Sequence, residues 1–409
     1  MTGKMKDILV ITPYYEPDIG PSAPIFTMLC EALVKRGHKV TCITTRPHYT
    51  RELHDGSGRF PGVERTQMNG VEMLRIGMPF RRGGGVLNRL MHQTAFNIGA
   101  LLASFRIRRP QSCIIDGPVL WSGLTWLYWC RFRKVEYLYN QHDIFPDVAW
   151  RLGWLSKGKI FKAWDFVEKT IYLGSKRVLV LGSSSKNLVV GKGVPTNKVD
   201  IFPVPVNFMD VDAESASRVD FRKKWGLEGR FVVFYGGNLG QSQRSLELAE
   251  AAATLRDHER IHFVFVGEGD QKSTLEKYVK NEELKNVSIF PFQERRLIFD
   301  MYRSFDCGIV PLSPEISGEI VPSKAVFMMA AAMPILAWVG GECELANVVS
   351  ESGCGRVVSG NVQDLAAEIL QWSEYGLNGE QYGRAGSRYA REKFDIGNIS
   401  RSISEIFQE

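Results

Sequence analysis

Cysteine is scarce and scattered in this 409-residue chain: seven residues, with no C-x-x-C pair among them. That excludes a disulfide framework and gives zinc or redox motifs no support; small buried thiols in a reducing compartment are expected. Long apolar runs are missing as well. No stretch reaches the roughly 18 apolar residues of a membrane span; the nearest is Gly117 to Cys130. No hydrophobic signal segment precedes the first apolar run at Asp7, so an intracellular protein is expected. No complete G-x-G-x-x-G opens the chain, which counts against a dinucleotide oxidoreductase. There is no short repeat and no low-complexity tract. What is present is ordinary for a soluble globular chain, 44% hydrophobic and 23% charged, at a length that suggests two domains.

Charge is where the chain departs from the ordinary. Residues 1–205 carry 29 Lys and Arg against 15 Asp and Glu, while residues 206–409 carry 22 against 30. The net +6 therefore hides a basic half joined to an acidic one, and the basic half predicts an anionic partner.

Apolar runs alternate with helical segments throughout. DILVITP (7–13), VTCITT (40–45) and segments at 71–76, 112–116, 136–140, 177–181 and 199–202 read as strands. Helices are expected from Ser22 to Arg36, closed by Gly37, and at 86–106, 118–130 and 159–172. A second series starts with FVVFYGGNLG (231–240) and continues at 261–267, 287–290, 307–312, 334–338 and 355–358. Continuous apolar strands between helices predict parallel sheets covered on both faces. The fold class is α/β, with two doubly wound domains, residues 1–205 and residues 206–378, one to hold one substrate and the other its partner. They are joined through the proline-containing run 202–217, and C-terminal helices at 379–409 are expected to pack back across the junction. Ligands of such sheets bind at the carboxyl ends of the strands.

The loop after the first strand of the second series holds Gly236, Gly237, Asn238, Gly240, Gln243 and Arg244 ahead of a helix. Glycines between a strand and a helix let backbone N–H groups approach a phosphate, with the helix dipole adding to the attraction. A tight turn without a ligand has the same signature. Gly267-Glu268-Gly269, after the next strand, reads as a turn. Farther on, Glu319 stands where it can accept hydrogen bonds from sugar hydroxyls. Val321, Pro322, Ser323 and Lys324 follow, with Ser323 opening an apolar helix and Lys324 able to face a phosphate. On residue types alone this stretch is also a surface loop before a capped helix. In the first half, Gln141-His142-Asp143 ends a strand on the predicted ligand side, and Gly20 lies in the loop after the first strand.

These motifs in this order resemble glycosyltransferase family 4, retaining nucleotide-sugar enzymes of the GT-B fold, over nearly the whole chain. The glycine loop at 236–240, Pro322-Ser323-Lys324, the Ala330-Ala331-Ala332-x-Pro334 run, residues 181–207 and residues 37–44 all stand in the family's order. The closest likeness is to the branch that builds bacterial surface polysaccharides and carries an Asp-x-Trp-Pro motif; here Asp143-Ile144-Phe145-Pro146-Asp147 has phenylalanine for tryptophan. The resemblance implies catalytic roles for His142, Asp143 and Glu319, and donor binding by Gly236, Gly237, Asn238, Gly240, Gln243, Arg244, Val321, Pro322, Ser323 and Lys324. It implies acceptor-side roles for Gly20 and Asp147, with no metal and no cofactor. The family's second glutamate, eight positions after the first, falls on Phe327.

The implied reaction moves a sugar from a nucleotide-sugar donor to a polyprenyl-pyrophosphate-linked acceptor in O-antigen, capsule or exopolysaccharide synthesis. Catalysis then rests on positioning and on stabilising the leaving phosphate through loop N–H groups, Arg244 and Lys324. Phe327 motivates the alternative, a lapsed homologue that binds nucleotide sugar or glycan as a partner subunit. In the basic half, Arg81, Arg82 and Arg89 precede an apolar segment closed by Arg106, Arg108 and Arg109, and VLWSGLTWLYWC (119–130) runs into Arg131, Arg133 and Lys134. Apolar helices with aromatic residues and flanking cations predict attachment to an anionic membrane surface, at the cytoplasmic side of the membrane. Helices that merely cover a sheet are also apolar. No nucleic-acid module is visible, and nucleic acid is not expected as a partner.

Overall fold

The computed structural model describes the chain except residues 1–4, 19–21, 48–59, 80–85, 143, 145, 152–154, 213–219, 241–242, 314–320, 342 and 375–378. The chain divides into two compact units: residues up to Pro205 together with Ile396–Glu409, and Val206–Asp395.

The first unit is built on eight strands among the described residues: β1 (Asp7–Ile11), β2 (Lys39–Thr45), β3 (Val63–Met68), β4 (Val71–Ile76), β5 (Ser112–Asp116), β6 (Glu136–Gln141), β7 (Arg177–Val180) and β8 (Val199–Ile201). Their order in the sheet is β3-β4-β2-β1-β5-β6-β7-β8. All neighbours are parallel except β3 with β4. Burial on both sides explains the continuous apolar runs. Leu9 and Ile11 of β1 face a core shared with Phe96, Trp129 and Tyr172, contributed by the helices Val86–Ser104 and Lys159–Gly174 and the π-helical turn Leu127–Phe132. Ile8 and Val10 face the opposite core, with Phe26 and Leu29 of the helix Ala23–Lys35.

That second core takes a member from the far end of the chain, and of the C-terminal helices expected to pack back only one does so. The helix Gly379–Lys393 stays with the second unit, but the helix Ile396–Ile406 completes the first. Ile396, Ile399, Ile403 and Phe407 pack beside Phe26 and Leu33; Arg36 Nε donates to Ser400 Oγ (2.8 Å), and a His38 ring nitrogen bonds Ser404 Oγ (3.0 Å).

The second unit holds β9 (Phe231–Gly236), β10 (Ile261–Val266), β11 (Val287–Phe290), β12 (Cys307–Pro311), β13 (Ile335–Trp338) and β14 (Gly355–Val358), all parallel, in the order β11-β10-β9-β12-β13-β14. In each sheet the chain leaves one strand in opposite directions, at β1–β5 and at β9–β12, which makes the crevice where open α/β sheets take ligands.

Three local expectations are corrected. β3 was not anticipated, because V-E-R-T-Q-M is an edge strand with water on both faces and lacks an apolar run. The segment at 118–130 is a helix only from Val119 to Trp126, after which the turns widen to π geometry through Phe132. Ser22 sits at the N-cap of its helix without a capping bond from its side chain; Pro24 in the first turn fits a helix start instead.

Candidate active site

In the first unit, the carboxyl ends of β1, β5 and β6 bring three polar side chains to one carboxylate. Thr12 Oγ1 donates to Asp116 Oδ2 at 2.9 Å, Asn140 Nδ2 donates to Asp116 Oδ1 at 3.3 Å, and His142 Nε2 lies 3.8 Å from Asp116 Oδ1. Asp116 is buried, while 18% of the His142 side chain reaches solvent. Burial pushes the imidazole down to about 4, so it is neutral at pH 7. Its ring also meets Phe26 edge on. The sequence pointed to His142 but missed Asp116, which ends an apolar strand with no flanking motif. Asp143 and Gly20 lie outside the described residues. Asp147 is not presented openly to an acceptor: Lys192 Nζ holds it at 2.5 Å and also pairs with Asp165. Burial works against the Lys192 charge, but bonds to the two carboxylates outweigh it and raise its pKa.

In the second unit, the glycine loop is fixed by its neighbour strand. Gly237 N–H donates to the Val266 carbonyl and Leu239 N–H to that of Glu268, both at 2.9 Å, while Gln271 N–H returns to Leu239 O. The two loops touch so closely that a Cβ on Gly267 would lie 1.9 Å from the Gly237 carbonyl oxygen. Gly267 is therefore part of the loop's support rather than an isolated turn. The hint was its place at the end of β10, which pairs in register with β9. Gly237 itself has φ +136°, a conformation that favours glycine, and a Cβ there would stand 3.4 Å from the Lys324 ammonium.

Lys324 reaches this loop from the start of the helix Ser323–Ala330, which follows β12 across the crevice. Its ammonium donates to Gln243 Oε1 at 2.7 Å and to Tyr235 Oη at 3.3 Å, and lies 4.3 Å from the Tyr235 ring centre. Tyr235, kept protonated by burial, donates onward to the Asn238 carbonyl at 2.6 Å. Each partner of Lys324 is neutral, and burial pushes its ammonium down to about 7. Pro322 is the N-cap of this helix and Ser323 is exposed, so the first N–H groups, which have no carbonyl one turn earlier, open on the same side as Lys324. Val321 packs against the core at the base of the turn.

Arg244 is held differently from its expected phosphate-facing role. Nε and Nη2 both bond Glu247, at 3.0 and 3.2 Å, and the guanidinium stacks 3.3 Å from the Trp338 ring centre. Its φ of +50° is unusual for a residue other than glycine. Glu247 and Trp338 carried no motif in the sequence. Glu319 lies outside the described residues. Phe327 is half-buried and meets Phe299 edge to face at 6.3 Å, so the helix turns an aromatic ring into the core at this position.

Two family models divide the chain between them: a glycosyl transferase 4-like domain over residues 22–205 and glycosyl transferases group 1 over residues 217–390. The chain is a glycosyltransferase of this family. WcaI of Escherichia coli strain K12, named for colanic acid biosynthesis, is 24% identical over 79% of this chain and 81% of its own. WbjE of Pseudomonas aeruginosa, a glycosyltransferase by name, is 28% identical over 52% of this chain and 54% of its own. Among solved structures, Anabaena HepE in complex with UDP and glucose matches 98% of each chain with a TM-score of 0.69 at 15% identity. The fold of this glycosyltransferase is GT-B.

Proposed function

We propose that this glycosyltransferase moves a sugar, with retained anomeric configuration, from a nucleoside diphosphate sugar to a saccharide carried on a polyprenyl pyrophosphate. Its place is cell-surface polysaccharide assembly at the inner face of the cytoplasmic membrane. The names of WcaI and the ligands of HepE support the polysaccharide and the donor.

The observation that carries the reading is Lys324. Burial drives the charge from this ammonium near neutrality although it stands beside a glycine loop at the switch point of the sheet. A pyrophosphate arriving there pairs with it and restores the charge. The Asn238 and Gly240 N–H groups of the loop, whose neighbours Gly237 and Leu239 are already bonded within the fold, and those of the first helical turn at Ser323 and Lys324 donate to phosphate oxygens. Asn238 and Gln243 add amide donors. As the bond to the sugar opens, negative charge grows on the leaving phosphate, and these fixed donors gain most at that point. Arg244, clamped by Glu247, adds positive potential from behind the loop.

On the acceptor side, His142 is a neutral imidazole that orients the attacking hydroxyl, its ring packed edge on to Phe26 with the Asp116 carboxylate 3.8 Å away. Asp143 and Glu319 act on the sugar, Gly20 permits close approach, and Asp147 shapes the acceptor loop through Lys192. The second reading, a lapsed binding subunit, draws on Phe327 packing into the core where the family carries a glutamate.

A thermal-shift panel of UDP-, GDP-, ADP- and dTDP-sugars, followed by transfer and hydrolysis assays, separates the two. Binding followed by turnover is expected, with a large loss of rate in Glu319→Ala. Binding without turnover, whatever acceptor is offered, sinks the enzyme reading; a near-normal rate in Glu319→Ala sinks the assignment of the motif.

A further inference from the structure

A helix that covers a sheet ordinarily turns a polar stripe to water. The helix Val86–Ser104 does not. Positions 90, 94, 98 and 102, every fourth residue along one side, are exposed and read Leu90, Thr94, Ile98 and Leu102. Just beyond its end Phe105 is 62% exposed, and the adjoining π-helical turn presents Leu127 and Phe132, the latter 77% exposed. Phe105 and Tyr128 meet edge to face at 5.0 Å, which makes the two segments one surface. On the same side of the sheet, the helix Lys159–Gly174 exposes Ile160, Phe166 and Val167 together with Lys159 and Lys162. Its carboxylates do not offset those cations, because Asp165 pairs with Lys192 and Glu168 is buried.

A cavity of about 330 Å³ adjoins this surface at the amino ends of β1, β2 and β4, beneath residues 106–110. Leu9 lines it and belongs to the core of this same face. Lys39, Arg106, Arg108 and Arg109 line the cavity against Asp7, while Glu72 is held by Arg65 at 2.9 Å. Arg108 has no hydrogen-bond or ion-pair partner among the described residues.

We propose that this face of the first unit docks on an anionic phospholipid bilayer. The cavity holds a lipid headgroup phosphate, and Leu102, Phe105 and Phe132 enter the acyl boundary. The charge pattern selects this occupant. Residues 86–115 and 119–135 contain no Asp or Glu, and Arg106, Arg108, Arg109, Arg131, Arg133 and Lys134 gather where the two segments end. Unmixed positive charge around exposed apolar side chains matches a bilayer interface, where the chains enter one leaflet and the cations meet headgroups. Among the described residues no helix is long and apolar enough to cross a membrane. The proposal rests on the membrane part of the function above and is independent of donor chemistry.

The test is flotation of the full chain with phosphatidylcholine vesicles, with and without phosphatidylglycerol. It compares the wild type, an Arg108→Ala/Arg109→Ala pair and a Phe105→Ser/Phe132→Ser pair, with UDP-glucose binding in solution and a thermal melt as checks on the fold. Flotation is expected only with phosphatidylglycerol. Loss of the two cations lowers the partition roughly thirtyfold, loss of the two rings lowers it as well, and nucleotide binding holds. A wild type that binds UDP-glucose yet never floats overturns the docking face and leaves the glycosyltransferase reading standing. An arginine pair that folds and floats like the wild type overturns the headgroup cavity. So does protection of the wild type by soluble glycerol 3-phosphate that this pair loses while still floating, since the cavity then serves a free phosphate ester.

Discussion

Lys324 gives the sharpest prediction because its charge state and its ligand are linked. In the protein alone the ammonium loses its proton around pH 7, since burial disfavours the charged form and neither Gln243 nor Tyr235 carries a compensating charge. A nucleoside diphosphate sugar has no pyrophosphate group titrating between pH 6 and 9, so the charge that Lys324 meets stays constant across that range. At pH 6 about nine lysines in ten are protonated, and at pH 9 about one in a hundred. If the charged form alone binds the pyrophosphate well, the Kd for the nucleotide sugar that the panel selects is nearly flat below pH 7. It then rises close to tenfold per unit above it, reaching roughly a hundredfold by pH 9, about 2.7 kcal/mol. Isothermal titration at four pH values measures this directly, and proton uptake on binding, read from buffers of different ionisation heat, should peak between pH 7 and 9. Lys324→Gln should bind weakly at every pH and show no slope. A flat Kd in the wild type, or a Lys324→Gln variant that binds as tightly at pH 6, refutes the reasoning.

Two further outcomes follow from the same geometry. His142 is held neutral down to about pH 4 in the fold but protonates near 6.5 when unfolded, so the unfolded chain takes up the extra proton as pH falls between those values. Stability that is full above about pH 6.5 is therefore lost toward pH 4, by up to about 3 kcal/mol. Denaturant melts of wild type and His142→Gln at pH 7 and 4.5 check it, and an equal loss in both contradicts the burial argument. Gly267→Ala drives a Cβ into the Gly237 carbonyl and should cost about 2 kcal/mol or more and weaken nucleotide binding. Gly191→Ala, with nothing within 4 Å of its added carbon, should leave both unchanged. Similar denaturant midpoints for the two variants would discount the loop-to-loop contact.

The strands that carry both units were legible because burial on two faces leaves an unbroken apolar run, as in Ile8–Ile11 and Phe263–Val266. β3 was not, since an edge strand in water alternates nothing but polar side chains and two weak apolar ends. At the candidate site, glycines and the Pro322-Ser323-Lys324 turn announce themselves by local sequence. Partners reached through the fold do not. Asp116 lies 3.8 Å from His142 on a neighbouring strand, and Trp338 meets Arg244 from two strands away in the sheet order. Arg244 shows the same limit in reverse: its residue type suits a phosphate, but its geometry commits two donors to Glu247.

The helix Ile396–Ile406 also sets an order of events as the chain is made. Residues up to Pro205 leave the ribosome first, but the core formed by Ile8 and Val10 of the sheet with Phe26 and Leu33 of the helix Ala23–Lys35 stays without the cover of that last helix until residue 396 and beyond are synthesised. At roughly 5–20 residues per second, making Val206–Asp395 takes roughly 10 to 40 seconds. Through that interval an apolar surface is open to chaperones or to misassociation, while the second unit, continuous in sequence, can close on its own. The unit that begins first is the one that finishes last.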